Sequence, residues 1–220
     1  MPGLKPEFES RSIVLVGAFN PAIYQPAWLG RMGLLREEEV ENAKVEIIHR
    51  DITSITIGTR GIQVQPRRFL ANTRNSAEYE ILRDLVVAIF KILPHTPAHQ
   101  LGINSEAHFK LNSEAEWHAV GHCLAPKELW KKFFVKPGLR SLIMENPKED
   151  GKFGYTRVKV EPSTRVKFGV FISINDHYEI QDYKPEDGCE AIIDILISSW
   201  SNSLKQTQVA YEVLLEAAHV

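Results

Sequence analysis

Apolar and polar residues follow two rhythms in the first half of the chain. Strands are predicted where β-branched residues run together or alternate with polar ones, and such segments are 12–19, 45–59 (bent near Asp51) and 61–73. Helices are predicted where apolar positions recur every three or four residues, as they do in 26–43 and 76–93.

The second half repeats the same succession of patterns. Its predicted strands are 98–111, 138–146, 155–162 and 167–180. Its predicted helices are 113–124, 126–134 and 188–218, the first of them opened by Ser113 and Glu116 at the spacing of a capping box.

Two landmarks indicate an internal duplication. Trp28 and Trp117 open short helices about 90 positions apart, and IQVQP (62–66) and VKVEP (158–162) are alternating strands that end in proline. The alternative is coincidence, because such strands are common. The duplication predicts one α+β domain over 1–220, built from two units of strand, helix, three strands and helix.

The two pseudo-repeats are about 12–94 and 98–218. We expect their strands to form one curved antiparallel sheet with the helices on one face. This layout resembles the saddle of the TATA-binding protein and the helix-grip folds, although no motif is shared and a fold does not determine a function.

The segment TRVKVE (156–161) is typical of a strand with one buried face. Alternation directs Val158 and Val160 to the core and Arg157, Lys159 and Glu161 outward.

Composition narrows the classes of function. Hydrophobic residues make up 44% and charged residues 25%, and the formal net charge is −2, so the basic surplus of a general nucleic-acid binder is absent. Cys123 and Cys189 are too few for a disulfide scaffold or a thiolate zinc site. No apolar run reaches the length of a membrane span. We expect a bacterial, cytoplasmic protein without membrane contact.

The sequence WHAVGHC (117–123) places His118 and His122 one helical turn apart, the spacing of two metal ligands. The possible further ligands are Cys123, His108, His99, Asp176 and His177. However, Ala119 stands where a hydrolytic zinc helix carries its glutamate base. We therefore favour an ordinary histidine pair, with no metal and no cofactor.

Catalytic groups do not converge elsewhere in the sequence. In INDHYEI (174–180), alternation sends Asp176 to one face of a strand and His177 and Glu179 to the other. Nucleophile-elbow and phosphate-loop motifs are absent. We expect no enzyme, and the alternative is an enzyme or metal protein with a site around His118, His122 and His177.

Two surface features are candidates for binding. Arg67, Arg68, Arg157 and Lys159 occupy matching places in the two units and could form a positive strip that contacts nucleic acid, or an ordinary solvated face.

In NPAIYQPAW (20–28), Tyr24 and Trp28 could form an aromatic patch for a partner, although the core is favoured. The other tryptophans, Trp117, Trp130 and Trp200, are mostly expected in the core as well.

The run GIQVQPRRFLANTRN, followed by YEILRDL and LGIN, resembles a sporadically distributed family of uncharacterised bacterial proteins. The resemblance covers mainly residues 61–104 and rests on strand and helix residues. It implies a prokaryotic accessory protein from mobile or defence-related gene neighbourhoods, and it assigns no catalytic residue.

The primary hypothesis is a non-enzymatic binding protein, an accessory subunit or adaptor whose partner is another protein or a second copy of itself. The alternatives are a nucleic-acid-contacting subunit and the histidine-centred enzyme or metal protein.

Overall fold

The computed structural model describes residues 5–149 and 151–216, which contain nine strands and five α-helices. The strands are β1 (Phe8–Gly17), β2 (Lys44–His49), β3 (Ile52–Ile57), β4 (Arg60–Gln65), β5 (Arg68–Thr73), β6 (Ala98–Lys110), β7 (Leu142–Pro147), β8 (Phe153–Pro162) and β9 (Gly169–Glu179). The helices are α1 (Pro26–Arg31), α2 (Glu37–Glu41), α3 (Tyr79–Ile92), α4 (Glu114–Leu124) and α5 (Glu190–Glu216).

All nine strands belong to one open sheet in the order β2-β3-β4-β5-β1-β6-β9-β8-β7. Every neighbouring pair is antiparallel, which confirms the predicted α+β class with an antiparallel sheet. β1 and β6 form the central pair, aligned from Phe8 opposite His108 to Gly17 opposite Ala98. β2 and β7 are the two edges.

The two faces of the sheet differ in polarity, because successive side chains point to opposite sides. On the helix face, Ile13 and Leu15 of β1 are fully buried. The opposite face, here called the open face, carries one row that crosses all nine strands. This row consists of Lys44, Thr56, Gly61, Asn72, Ser12, Asn104, Asn175, Arg157 and Glu145. None of these residues is buried, so the open face is polar and accessible.

The long helices α3 and α5 cover the helix face. The apolar side of α3 is buried in a large hydrophobic cluster, where Phe90 meets Phe69 of β5 edge-on at 5.0 Å. The N-terminal half of α5 joins the same cluster through Leu196 and Trp200. Its C-terminal half contributes Tyr211 to a second, smaller cluster with strands β6, β8 and β9. None of the helices in the described residues combines the length and the apolar character needed to cross a bilayer.

A polar seam separates the two hydrophobic clusters. The buried guanidinium of Arg11 donates to Ser105 Oγ at 2.6 Å, and Ser105 Oγ lies 3.2 Å from Thr207 Oγ1. Thr207 Oγ1 in turn donates to the carbonyl of Ser203, at 2.9 Å. The seam therefore connects β1, β6 and α5 by hydrogen bonds where apolar contacts are interrupted.

Two predicted strands of the first half are in fact hairpins. Residues 45–59 reverse at Arg50 and Asp51 into β2 and β3, and residues 61–73 reverse at Pro66 and Arg67 into β4 and β5. The second reversal is held by the end of β1, because Phe19 N–H donates to the Pro66 carbonyl at 2.9 Å. The first half thus has four strands after its first helices, and the second half has the expected three.

Two predicted helices are also shorter than expected. Residues 26–43 form α1 and α2 with a break at Gly33, whose φ of 72° suits glycine and ends α1. Residues 126–134 contain only a 3₁₀ turn at Trp130–Lys132. The apolar positions within 129–134 keep helical spacing, but none of them joins either hydrophobic cluster, so the packing that stabilises a helix of this length is missing.

Candidate interaction surface

The connection from β6 to β7 begins with α4, which is held firmly at one end of the sheet. Ser113 Oγ caps the helix by accepting from the N–H of Glu116 at 3.1 Å. Val120 is buried in the smaller hydrophobic cluster. The indole N–H of Trp117 donates to the carbonyl of Gly169, at the start of β9, at 3.1 Å.

The last turn of α4 is closed by a buried lysine. Lys127 Nζ donates to the carbonyls of Gly121, at 2.7 Å, and of Ala125. These carbonyls lie at the C-terminal end of the helix, where a cation is favourable. Burial lowers the pKa of Lys127.

Beyond Lys127 the chain exposes its large apolar residues. We call residues 125–141 the aromatic segment. Within it, Val135 is 95% exposed, Leu129 70% and Phe133 66%, and about half of Trp130 and of Phe134 is accessible. Single apolar residues on a surface are ordinary, whereas several that lie together are a candidate interaction site.

The rings of the aromatic segment contact one another. Phe133 and Phe134 lie 4.5 Å apart between ring centroids, and Trp130 is nearly parallel to Phe134 at 6.4 Å. These three residues belong to neither hydrophobic cluster of the protein. The rings therefore form a small preassembled surface that is open to solvent.

The aromatic segment is also strongly basic. It contains five lysine and arginine residues, namely Lys127, Lys131, Lys132, Lys136 and Arg140, and Glu128 is its one carboxylate. Apart from Lys127, all of these cations are exposed. The whole chain has a net charge of −2, so this segment is a local positive region on a slightly acidic protein.

Two clefts border the aromatic segment. The first, of about 230 Å³, lies between α4 and residues 136–139 and has Val160 and Val170 of the sheet in its wall. The second, of about 430 Å³, runs from Trp130 and Phe134 to Arg140 and Ser141, next to β7. A partner can therefore bury apolar side chains beside the exposed rings.

The basic residues proposed from the sequence do not form one strip. Arg67 lies in the turn before β5, and Arg68 is the first residue of that strand. Traced through the strand pairings across the sheet, Arg68 lies level with Phe153 of β8, which is four residues before Arg157. Four strand spacings separate β5 from β8, which is about 19 Å. The two pairs therefore occupy separate regions of the sheet.

The basic residues of β8 are paired with carboxylates on the open face. Arg157 forms an ion pair with Glu145 at 2.6 Å, and Lys159 forms one with Glu161 at 3.1 Å. The hydrogen bond from Lys159 lowers the pKa of Glu161. The predicted alternation of this strand is confirmed, since Val160 is buried on the other face and Val158 packs beside it.

Tyr24 and Trp28 form no exposed patch. Tyr24 is only 1% exposed and contacts the ring of Phe69, with 5.5 Å between centroids. Burial raises the pKa of its hydroxyl. Trp28 is half-buried against the same hydrophobic cluster. The hypothesis of a partner-facing patch is wrong at Tyr24, because aromatic side chains of β5 and α3 enclose it.

His177 is not brought next to His118 and His122. His118 and His122 are exposed on α4 with their rings stacked at 6.2 Å, whereas His177 stacks on Tyr155 on the open face. Asp176 points to the helix face, where Lys148 and the Tyr178 hydroxyl contact its carboxylate. In residues 5–149 and 151–216, no three His, Cys, Asp or Glu side chains are placed to hold a metal ion.

The residues of the exposed aromatic surface were not identified from the sequence. Trp130 was expected in the core, within a helix that does not form. The apolar positions of KELWKKFFVKPG (127–138) recur at helical spacing, which predicts a packed helix. The signal for exposure was the four lysines in this short run, which ends at Pro137 and Gly138.

A scan of the sequence against protein-family models finds no match, and a search of curated proteins finds none either.

Proposed function

We propose that this protein is a non-enzymatic binding protein, an accessory subunit or adaptor that docks another protein through its aromatic segment. The observation that carries the proposal is the exposure of five large apolar side chains, Leu129, Trp130, Phe133, Phe134 and Val135. Tryptophan and other aromatic residues dominate the energetics of protein interfaces, especially beside pockets that exclude water.

Docking through the aromatic segment is favoured by the burial of its apolar side chains. Burying one such side chain completely contributes about 1.5–3 kcal/mol, and the isolated protein leaves several of them largely in water. The rings already contact one another, so ordering them on binding costs this protein little side-chain entropy. The exposed lysines around them lie where the polar rim of an interface is expected.

The test compares two matched double variants during purification from the native host. Trp130→Ser with Phe134→Ser removes the centre of the aromatic surface, and Ile81→Ser with Ile92→Ser removes two exposed isoleucines of α3. We expect wild-type protein and the α3 variant to retain the same partner, and the aromatic variant to retain at least about tenfold less. Equal retention by all three proteins would contradict the proposal.

The proposal includes an internal duplication and a saddle-like or helix-grip-like sheet. The strand order supports it, because β5-β4-β3-β2 flanks the central pair on one side and β9-β8-β7 flanks it on the other. Each half also ends in a long helix, α3 or α5. In this interpretation, β2 is an additional strand of the first unit.

We propose further that the protein works in the bacterial cytoplasm as part of a multi-protein system, and the resemblance of residues 61–104 points to a defence-related one. Both cysteines are free thiols, Cys123 exposed and Cys189 buried, as expected in a reducing compartment. Burial raises the pKa of Cys189 to about 11, which fits an unreactive structural thiol.

The second candidate is a nucleic-acid-contacting subunit, favoured by the cation–aromatic pairs near the end of the open face. The guanidinium of Arg157 lies 4.5 Å from the ring centre of Tyr155, and Lys159 lies 5.4 Å from that of Phe171. Such platforms stack bases in single-stranded nucleic acids. The neighbouring carboxylates Glu145 and Glu161 weaken this candidate.

Oligonucleotide binding tests the second candidate. We expect wild-type protein to bind single-stranded oligonucleotides only weakly at physiological salt, because its basic pairs are separated and partly neutralised. Tight binding that falls with salt, and that Arg157→Glu with Lys159→Glu weakens for all sequences alike, would favour nucleic acid instead. Arg67→Glu with Arg68→Glu shows whether the distant pair takes part.

A further inference from the structure

The edge strand β7 is open along its whole length. Its residues pair with β8 without a register shift, from Leu142 opposite Val160 to Pro147 opposite Tyr155. No strand of the described residues pairs with its outer side. Ile143 on the open face and Met144 on the helix face are both more than half exposed. An unpaired strand with apolar side chains is a template for another strand.

The opposite edge of the sheet is less suited to pairing. β2 also exposes apolar residues, but its register shifts between Val45 and Ile47. A bulge of this kind twists an edge away and interrupts its ladder of N–H and C=O groups. In β7 the corresponding ladder is regular, and only its last residue, Pro147, lacks an N–H to donate.

The open edge continues directly into the aromatic segment. Ser141 is the last residue of that segment and Leu142 the first of β7. The cleft beside Trp130 and Phe134 reaches Arg140 and Ser141, so it opens at the start of the strand. A chain that pairs with β7 therefore passes the exposed rings at one end.

Charge indicates what kind of chain fits. Lys136 and Arg140 are exposed and line the cleft that reaches the start of β7. A second copy of this protein, related by a twofold axis, would pair with β7 antiparallel and so place the two sets of cations at opposite ends of the strand pair, about 20 Å apart, where their repulsion is largely screened. A chain whose acidic residues lie beside these cations is attracted to them directly, and this attraction favours it as the occupant.

We propose that the outer edge of β7 receives an extended segment of the partner protein as a tenth strand, and that this segment carries apolar residues followed by acidic ones. The inference rests on the proposed function, because the partner is the protein that the aromatic segment docks. Backbone hydrogen bonds to β7 provide the register, and the rings of Trp130 and Phe134 with the adjacent cations provide selectivity.

The probe is a synthetic peptide in which valine and phenylalanine alternate with threonine before a run of aspartates. Two derivatives are N-methylated at alternate amides, in opposite phases. Because a strand donates from alternate amides on each edge, only one derivative loses the N–H groups that face β7. We expect that derivative to bind at least about tenfold more weakly than the other, by fluorescence anisotropy.

Two measurements locate the peptide on the protein. Hydrogen exchange of the β7 amides should slow when the peptide is bound, while exchange in β2 stays unchanged. Lys136→Glu with Arg140→Glu should weaken binding about tenfold. The matched reversal Lys91→Glu with Lys205→Glu, at exposed lysines of α3 and α5, should have little effect.

Several outcomes would overturn strand addition. They are equal affinity of the two methylated peptides, unchanged exchange in β7, self-association of wild-type protein through β7, and binding of anionic lipid vesicles in place of the peptide. Loss of the host partner in the Trp130→Ser and Phe134→Ser variant, together with any of these, would leave the proposed function standing and remove the strand addition.

Discussion

The two connections that lead from the central strands to the edge strands have similar apolar content, but their aromatic residues differ in burial. Residues 18–43 link β1 to β2 and bury Tyr24, Leu29 and Leu35. Residues 111–141 link β6 to β7, and within them Trp130 and Phe133 remain exposed. Burial in this protein is therefore decided by what lies beneath a connection as well as by its own composition.

The surfaces below the two connections explain the difference. Under the first, Phe69 and Phe90 offer apolar surface and tilted ring contacts to Tyr24. Under the second, Val160 and Val170 of the sheet pack in a cluster with Val120 of α4, and no residue of the aromatic segment joins that cluster. The rings of the segment pack on one another instead and stay exposed to solvent.

Separating the two halves of the chain should have the largest effect. Residues 1–94 and 98–220, expressed apart, would each expose one edge of the central β1–β6 pair to water. We expect neither fragment to unfold cooperatively in urea, as followed by circular dichroism. Two independent, sharp transitions would show that the connections belong to separate domains.

A leucine-to-alanine change in the first connection should cost more than a larger truncation in the second. Leu29 is completely buried, so Leu29→Ala should lower the free energy of unfolding by about 2–5 kcal/mol. Phe133→Ala should change it by no more than about 0.5 kcal/mol, because the ring is already in water. Denaturant titration of both variants gives the comparison, and equal losses would contradict it.

Alkaline pH should distinguish the buried connection further. Burial raises the pKa of Tyr24 above its ordinary value of about 10 in the unfolded chain. Its contribution to stability is thus full below about pH 10 and is lost as the pH rises towards the folded-state pKa. Tyr24→Phe should reduce the loss of unfolding free energy between about pH 9 and about pH 11. Identical losses in both proteins would exclude Tyr24 as a contributor.

The smallest effect is expected for the histidines of the second connection. His118 and His122 are exposed on α4 with stacked rings, and His118 Nε2 also lies 3.8 Å from the Glu114 carboxylate. We expect His118→Ala with His122→Ala to leave the melting temperature nearly unchanged in the presence of chelator, and purified wild-type protein to hold substoichiometric zinc. A stoichiometric metal that the double variant loses would refute this and favour the metal-protein alternative.

Regular elements with strong periodicity were predictable from the sequence. The predicted helix 76–93 contains α3, and the predicted strand 98–111 differs from β6 by one residue, because clear spacing is bounded by turn residues in both. The hairpin reversals at Arg50 and Pro66 were missed. Each lies inside a run of strand-forming residues, and the backbone contact that fixes the second comes from the distant Phe19.

The candidate surface was less predictable, for a physical reason. Tyr24 and Trp130 are both aromatic residues in short, proline-containing connections, and periodicity cannot tell which of them meets an apolar pocket. That outcome depends on distant side chains, because β5 and α3 supply apolar surface to Tyr24, whereas Val160 and Val170 of the sheet pack with α4 and not with Trp130. The pairing of Arg157 with Glu145 likewise depends on the register of two neighbouring strands.

The polar seam at Arg11, Ser105 and Thr207 affects how the protein unfolds locally. It divides the buried apolar residues into two clusters, a larger and a smaller unit, that share one sheet and one long helix. The smaller unit, next to α4 and the aromatic segment, can open locally at a lower free energy than global unfolding requires. Amide protons of β8 should therefore exchange through sub-global openings, while those of α3 should exchange only through global unfolding. A docked partner that strains the sheet would therefore open the smaller unit before the larger one.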